Sequence, residues 1–145
     1  MTFAESLRNC FDLAFTFSGR ASRPEFWWFI LFWVMTYITL VVVAALSLPG
    51  VLGEAVVTVF LMAMLLPMLA VSFRRLQDTG RNGWLAMTPI FGAALASFGR
   101  LANDPEIEFA GKMAEVGVLC VLVYWYAQPG ERGSNAFGGD PLRSR

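Results

Sequence analysis

Between Phe26 and Leu48 the chain carries no charged residue, and these 23 consecutive positions constrain its fold more than any other feature. Wound as an α-helix at about 1.5 Å per residue, they reach roughly 34 Å, enough to cross a bilayer core of about 30 Å. Gly19 breaks the preceding element, and Ser22-Arg23-Pro24-Glu25 reads as a capping box that starts the helix, with Pro24 tolerated in the first turn. Trp27 and Trp28 mark the headgroup level at which the helix enters, because their rings are apolar with one polar edge.

A second uncharged run, Ala55 to Phe73, follows the turn signal Pro49-Gly50 and ends at Arg74 and Arg75. Pro67 lies inside it, where neighbouring helices can satisfy the freed carbonyl. Further spans are expected near 84–99 and 109–127, the last admitting Lys112 and Glu115 at one end. The alternative for 84–127 is a helical hairpin that enters from one side without crossing. Composition supports the membrane reading. Of 145 residues, 57% are hydrophobic and 15% charged, and a soluble chain this short buries only about two-thirds of its surface, leaving too much apolar area in water. The expected architecture is all-α: an amphipathic interfacial helix over 1–18, a transmembrane domain over 19–128 with about four spans, and a Gly-rich tail over 129–145. In the first segment Phe3, Leu7, Cys10, Phe11, Ala14 and Phe15 share a helical face. That face lies either on the membrane interface or on the protein's own spans.

The formal net charge is zero, which excludes nucleic-acid binding driven by a large positive charge. The distribution is far from even. Four spans place Arg8, Arg20, Arg23, Arg74, Arg75, Arg81, Arg132, Arg143 and Arg145 on one side and only Arg100 and Lys112 on the other. By the positive-inside rule both termini are cytoplasmic, in a multi-pass protein of a plasma membrane.

The chain has no His, which rules out a His-dependent base, a catalytic triad and His ligation of haem. Cys10 and Cys120 lie far apart and form no metal pattern, so neither a metal nor a cofactor is expected. No ionisable residue lies centrally in a span, which disfavours proton-coupled transport. Thr36, Thr39, Thr58 or Ser72 could still line a homo-oligomeric pore, although such hydroxyls more often bond between helices.

What remains is a cluster in three pieces at the cytoplasmic face: Arg20, Arg23 and Glu25; Arg74, Arg75, Asp78 and Arg81; and the segment 133–138 with Asp140. One reading is a set of orientation signals and surface ion pairs, with Asp78 three and four residues beyond the arginines. The other is a phosphate-sized anion site, since planar guanidinium groups grip phosphate with two prongs and the inner leaflet presents anionic headgroups.

These pieces also carry a resemblance. Gly19-Arg20-Ala21-Ser22-Arg23-Pro24-Glu25-Phe26-Trp27, the stretch from Arg74 through Gly80, Arg81, Asn82 and Gly83 to Trp84, and Asn135-Ala136-Phe137-Gly138-Gly139-Asp140-Pro141 resemble the DUF805 family, small bacterial inner-membrane proteins of unknown function. The three motifs stand in family order and span most of the chain, with the poorest fit from about Arg100 to Glu115. The resemblance implies an inner-membrane location. It also implies His in most members at the position of Gln77 and a basic residue at that of Ala136, so any His chemistry elsewhere in the family is closed to this chain.

The functional expectation is a non-enzymatic membrane module whose arginine-rich face binds anionic phospholipid or a membrane partner, a second copy included. Arg20, Arg23, Arg74, Arg75, Asp78, Arg81 and Asn135 are the candidate binding residues. Gly19, Glu25, Trp27, Gly80, Gly83, Trp84, Phe137 and Gly138 are the structural residues of the motifs. The alternatives are a small pore or transporter subunit, and an enzyme on phosphorylated headgroups with Asp78 or Glu25 as base and Arg as electrophile.

Overall fold

A computed structural model describes residues 1–141; the last four positions of the expected tail, with Arg143 and Arg145, lie outside the described residues. Five α-helices follow one another: α1 (Phe3–Asp12), α2 (Arg23–Ser47), α3 (Gly50–Asp78), α4 (Pro89–Leu101) and α5 (Pro105–Ala127), with a 3₁₀ turn at Gly83–Met87 before α4.

Two of these, α2 and α3, are long and apolar enough to cross a membrane. They form an antiparallel hairpin closed by Leu48-Pro49, and at that end Gly53 lets the backbones approach, since a Cβ there would lie 3.2 Å from Ala44 Cβ. Many of their large side chains, among them Leu31, Val42, Val59 and Met62, face outward. That pattern suits helices whose solvent is lipid.

The second hairpin is held by small residues. Cβ atoms added at Gly92 and Gly111 would fall 2.6 Å from the Glu115 nitrogen and 2.7 Å from Ala96 Cα on the facing helix, so α4 and α5 touch backbone to backbone. Their turn combines two local devices. Asn103 adopts a left-handed conformation (φ 53°) while the Asp104 N–H reaches the Gly99 carbonyl at 2.8 Å, which closes α4 as a Schellman motif. The Asp104 side chain then accepts from the Glu106 and Ile107 N–H groups, capping α5 ahead of Pro105. The expected boundaries 84–99 shift as a result: the first turn is 3₁₀, set by Asn82 accepting from the Trp84 N–H, and the helix restarts at Pro89. At 13 residues, α4 alone rises about 20 Å, less than a bilayer core.

At the N-terminus the expected helix over 1–18 is shorter, ending at Asp12. Thr2 and Glu5 form a complete capping box at its start. Its apolar side packs on α2: Phe3 meets Trp28 edge to face at 5.7 Å between centroids, Phe11 meets Phe29 at 5.8 Å, and Cys10 is fully buried. Its apolar side thus rests partly on the protein's own helices, while Phe3 and Phe11 keep exposed edges and Phe15 stays outside.

Cys10, Ala21, Phe26, Phe29, Val71, Leu76, Leu122 and Tyr126 make the core. It gathers the start of α2, the end of α3 and the end of α5 at one end of the molecule. There Phe26 and Tyr126 lie 4.4 Å apart.

Candidate functional site

The arginine-rich motifs meet directly above this core, and most of their charge is turned inward. Arg20 Nε lies 2.8 Å from Asp78 Oδ1, with side-chain exposures of 2% and 4%. The other Asp78 oxygen accepts from Arg75, one helical turn earlier. Arg74 Nη1 lies 2.8 Å from Glu25 Oε1, and both of these groups are buried too. Three cations and two carboxylates thus share the interior of one helix junction. Burying ions costs several kcal/mol each unless partners compensate.

Backbone carbonyls supply much of that compensation. The last turn of an α-helix leaves its carbonyls without partners, and positive charge is favoured there by the helix dipole. At the end of α5, Arg75 Nε donates to the Tyr126 carbonyl at 3.0 Å, Arg75 Nη2 to that of Gln128, and Arg23 Nη2 to that of Ala127. Arg20 likewise donates to the Glu131 and Gly133 carbonyls of the tail. The end of α3 is closed in return by the tail: the Glu131 N–H reaches the Asp78 carbonyl at 2.8 Å, and the Asn135 amide reaches that of Gln77 at 2.9 Å. Gly80 makes this end possible. It sits at φ 73° while the Arg81 N–H reaches back to the Leu76 carbonyl at 3.0 Å.

Glu25 departs from the expected capping box. Ser22 accepts from the Glu25 N–H at 3.4 Å as expected, but the Glu25 carboxylate turns away to Arg74, because a buried guanidinium offers it a stronger partner than an N-cap amide. Arg74 still has Nε and Nη2 buried without a hydrogen-bond partner, as is Gln77 Oε1. Gln77 Nε2 donates to the Phe17 carbonyl at 3.0 Å, so Gln77 is a neutral clamp on the loop before α2. Cys10 Sγ lies 4.0 Å from Glu25 Oε1, and burial first, then the Glu25 charge, push its thiol up to about 12.

The seven candidate binding residues therefore divide. Arg20, Arg74, Arg75 and Asp78 are buried and engaged inside the junction, and Asn135 bridges the tail to α3. Arg81 is half-buried, with its guanidinium 5.0 Å from the centre of the Trp125 ring. Arg23 is exposed. The motif residues serve the turns around this junction. Gly19 is at φ 106° just before Arg20, Gly83 is buried under Phe73, Trp84 meets Phe73 edge to face, and Phe137 and Gly138 close the turn that Asn135 begins. Trp27 packs on Phe26.

Sequence reasoning missed Tyr126, Ala127, Gln128 and Glu131, which contribute through backbone carbonyls, and Trp125. Exposed Arg132 was counted only for orientation, yet it lines a cavity of about 330 Å³ with Arg20, Arg23, Asp78, Glu131 and Asp140. Among the described residues, no group of three or more His, Cys, Asp and Glu is placed to hold a metal ion. Of the four hydroxyls considered for a pore, Thr39 and Ser72 donate back to the Met35 and Met68 carbonyls of their own helices.

An all-helical chain with helices apolar enough for a bilayer, joined at one end by buried ion pairs, defines an integral membrane protein. A family profile described as "Protein of unknown function (DUF805)" matches residues 14–139, the whole of this junction included, and the chain belongs to that family. It is 31% identical over 127 residues to Inner membrane protein YhaH of Escherichia coli (strain K12), a match covering 86% of each chain. To Inner membrane protein YhaI of the same organism it is 31% identical over 126 residues, 86% of this chain and 85% of the relative. No solved structure matches it. The chain is an integral inner-membrane protein.

Proposed function

We propose that this protein is a non-enzymatic inner-membrane module that binds anionic phospholipid headgroups through the arginines at the rim of its helix junction, with both termini in the cytoplasm. The observation that carries the reading is the division among the arginines. Arg20, Arg74 and Arg75 hold the fold together, while Arg23 and Arg132 stand exposed, Arg23 beside Trp27 and Trp28 in a pairing of guanidinium and indole suited to the headgroup level.

The same division counts against catalysis. A general base must reach a proton on the substrate, and Asp78 and Glu25 are both buried in ion pairs. The basic end faces the cytoplasm by the positive-inside rule, and in a multi-pass arrangement the hairpin of α4 and α5 shares the membrane with α2 and α3.

Purified protein in nanodiscs of mixed phosphatidylglycerol and phosphatidylcholine tests the reading. Enrichment of phosphatidylglycerol around the wild type that falls when Arg23 and Arg132 are both changed to Gln supports it. Equal lipid composition in both samples would refute it, and a co-purified protein lost with the same arginines would replace lipid with a protein partner.

A further inference from the structure

The cavity of about 330 Å³ at the helix junction, lined by Arg20, Arg23 and Arg132 together with Asp78, Glu131 and Asp140, does not stand alone. Arg23 and Pro24 line it and also line a second, apolar groove of about 520 Å³ that continues along Trp27, Trp28 and Leu31. On α2, positions 23, 27 and 31 are spaced by four and fall on one stripe, as do 24 and 28 beside it. A guanidinium therefore heads an apolar track about 12 Å long that descends the outside of a bilayer-length helix.

From this geometry we infer that the cavity and groove together form a seat for a single anionic phospholipid, its phosphodiester on Arg23 and Arg132 and one acyl chain along Trp27, Trp28 and Leu31. The inference rests on the lipid-binding reading above and assigns it a place. Arg23 donates one Nη2 hydrogen bond to the Ala127 carbonyl, which fixes the guanidinium and leaves its other N–H groups for an anion. Arg132 is exposed and lines the same cavity, whose walls also carry Glu131 and Asp140, so the phosphate is assigned to the two guanidiniums and away from those carboxylates. Phe3 of α1 packs edge to face on Trp28 and holds that indole in place, so the groove is formed before lipid arrives.

A free anion would need only the cavity with its arginines. A phospholipid needs both parts, and only a phospholipid makes the groove and the arginines interdependent.

Native mass spectrometry of the full chain, released from detergent with phosphatidylglycerol added, tests the seat. The wild type is expected to retain one phosphatidylglycerol. Arg23→Gln is expected to lower that retained fraction about tenfold, the loss of one charge-assisted contact, and Arg132→Gln to lower it less. Trp28→Ala, which leaves both cations in place, is also expected to weaken retention, and excess inorganic phosphate is expected to leave it unchanged. Unaltered retention in Arg23→Gln and Arg132→Gln beside a wild type that holds lipid would overturn the seat while leaving lipid binding elsewhere intact. No retention by the wild type would overturn both readings. Displacement by inorganic phosphate would replace the lipid with a small anion.

Discussion

Arg20 and Asp78, 58 positions apart in sequence, meet at 2.8 Å with both side chains buried, and Arg75 sits on the second oxygen of the same carboxylate. This contact ties the loop before α2 to the last turn of α3, and through the other nitrogens of Arg20 it holds the tail. Asp78→Asn should therefore leave two guanidiniums buried without a counter-charge. Breaking one side of a buried pair costs about 3–5 kcal/mol. Unfolding of the purified variant in mixed micelles should show a loss of that order, and Arg20→Gln made in the Asp78→Asn background should add much less than it does alone.

Glu25 and Arg74 form a separate pair, with Arg74 Nε and Nη2 lacking partners. Removing one member and removing both should differ in outcome. Glu25→Met alone strands a buried cation and should destabilise by about 3 kcal/mol or more, whereas Glu25→Met with Arg74→Met removes the unsatisfied donors as well and should recover most of the loss. Thermal unfolding of the three proteins in one detergent checks the sign.

Contact between α4 and α5 depends on glycines whose missing Cβ atoms leave room for backbone. A Cβ at Gly99 would lie 2.8 Å from Glu108 Cα, while one at Gly117 meets nothing within 4 Å. Gly99→Leu should push the hairpin apart and cost about 1–3 kcal/mol through overpacking. Gly117→Leu should leave stability unchanged. Disulfide cross-linking between cysteines placed on the facing turns should fall in the first variant and persist in the second.

The two thiols should behave oppositely. Cys10 is buried and Cys120 exposed, so N-ethylmaleimide in detergent should modify Cys120 first and reach Cys10 only on unfolding. The thiol of Cys10, held up at about 12 by burial and by Glu25, also makes a pH prediction. The unfolded thiol loses its proton near pH 8.5–9. The folded one keeps it, so the contribution of Cys10 to stability is complete below that range and is lost as pH climbs towards 12. Cys10→Ala should flatten the alkaline side of the stability profile.

How much of this was legible in the sequence depends on whether a side chain or a backbone atom carries the interaction. The uncharged runs located α2 and α3, because absence of charge over a bilayer length is a one-dimensional signal. Two uncharged runs in succession, the first starting after Arg23 and the second ending at Arg74, also implied that Arg20 and Arg74 share an end. Their inward orientation was not legible, since the partners of Arg20, Arg23 and Arg75 include the carbonyls of Tyr126, Ala127, Gln128, Glu131 and Gly133, which no residue type announces. Glu25 could be read locally as a capping residue, and its true partner is 49 positions away. The span expected over 84–99 anticipated neither the restart of the helix at Pro89 nor the 3₁₀ form of the preceding turn.

The central claim is the separation of roles among arginines that look alike in sequence: buried ones fasten the helices, and rim ones hold lipid. One paired measurement on Arg20→Gln, Arg74→Gln, Arg23→Gln and Arg132→Gln tests it, recording unfolding temperature in detergent and co-purified phosphatidylglycerol for each. The account predicts lowered unfolding temperatures for the first two, and near-native temperatures with depleted lipid for the last two. Rim variants that unfold early yet keep their lipid, beside buried variants that stay stable and lose it, would contradict the account.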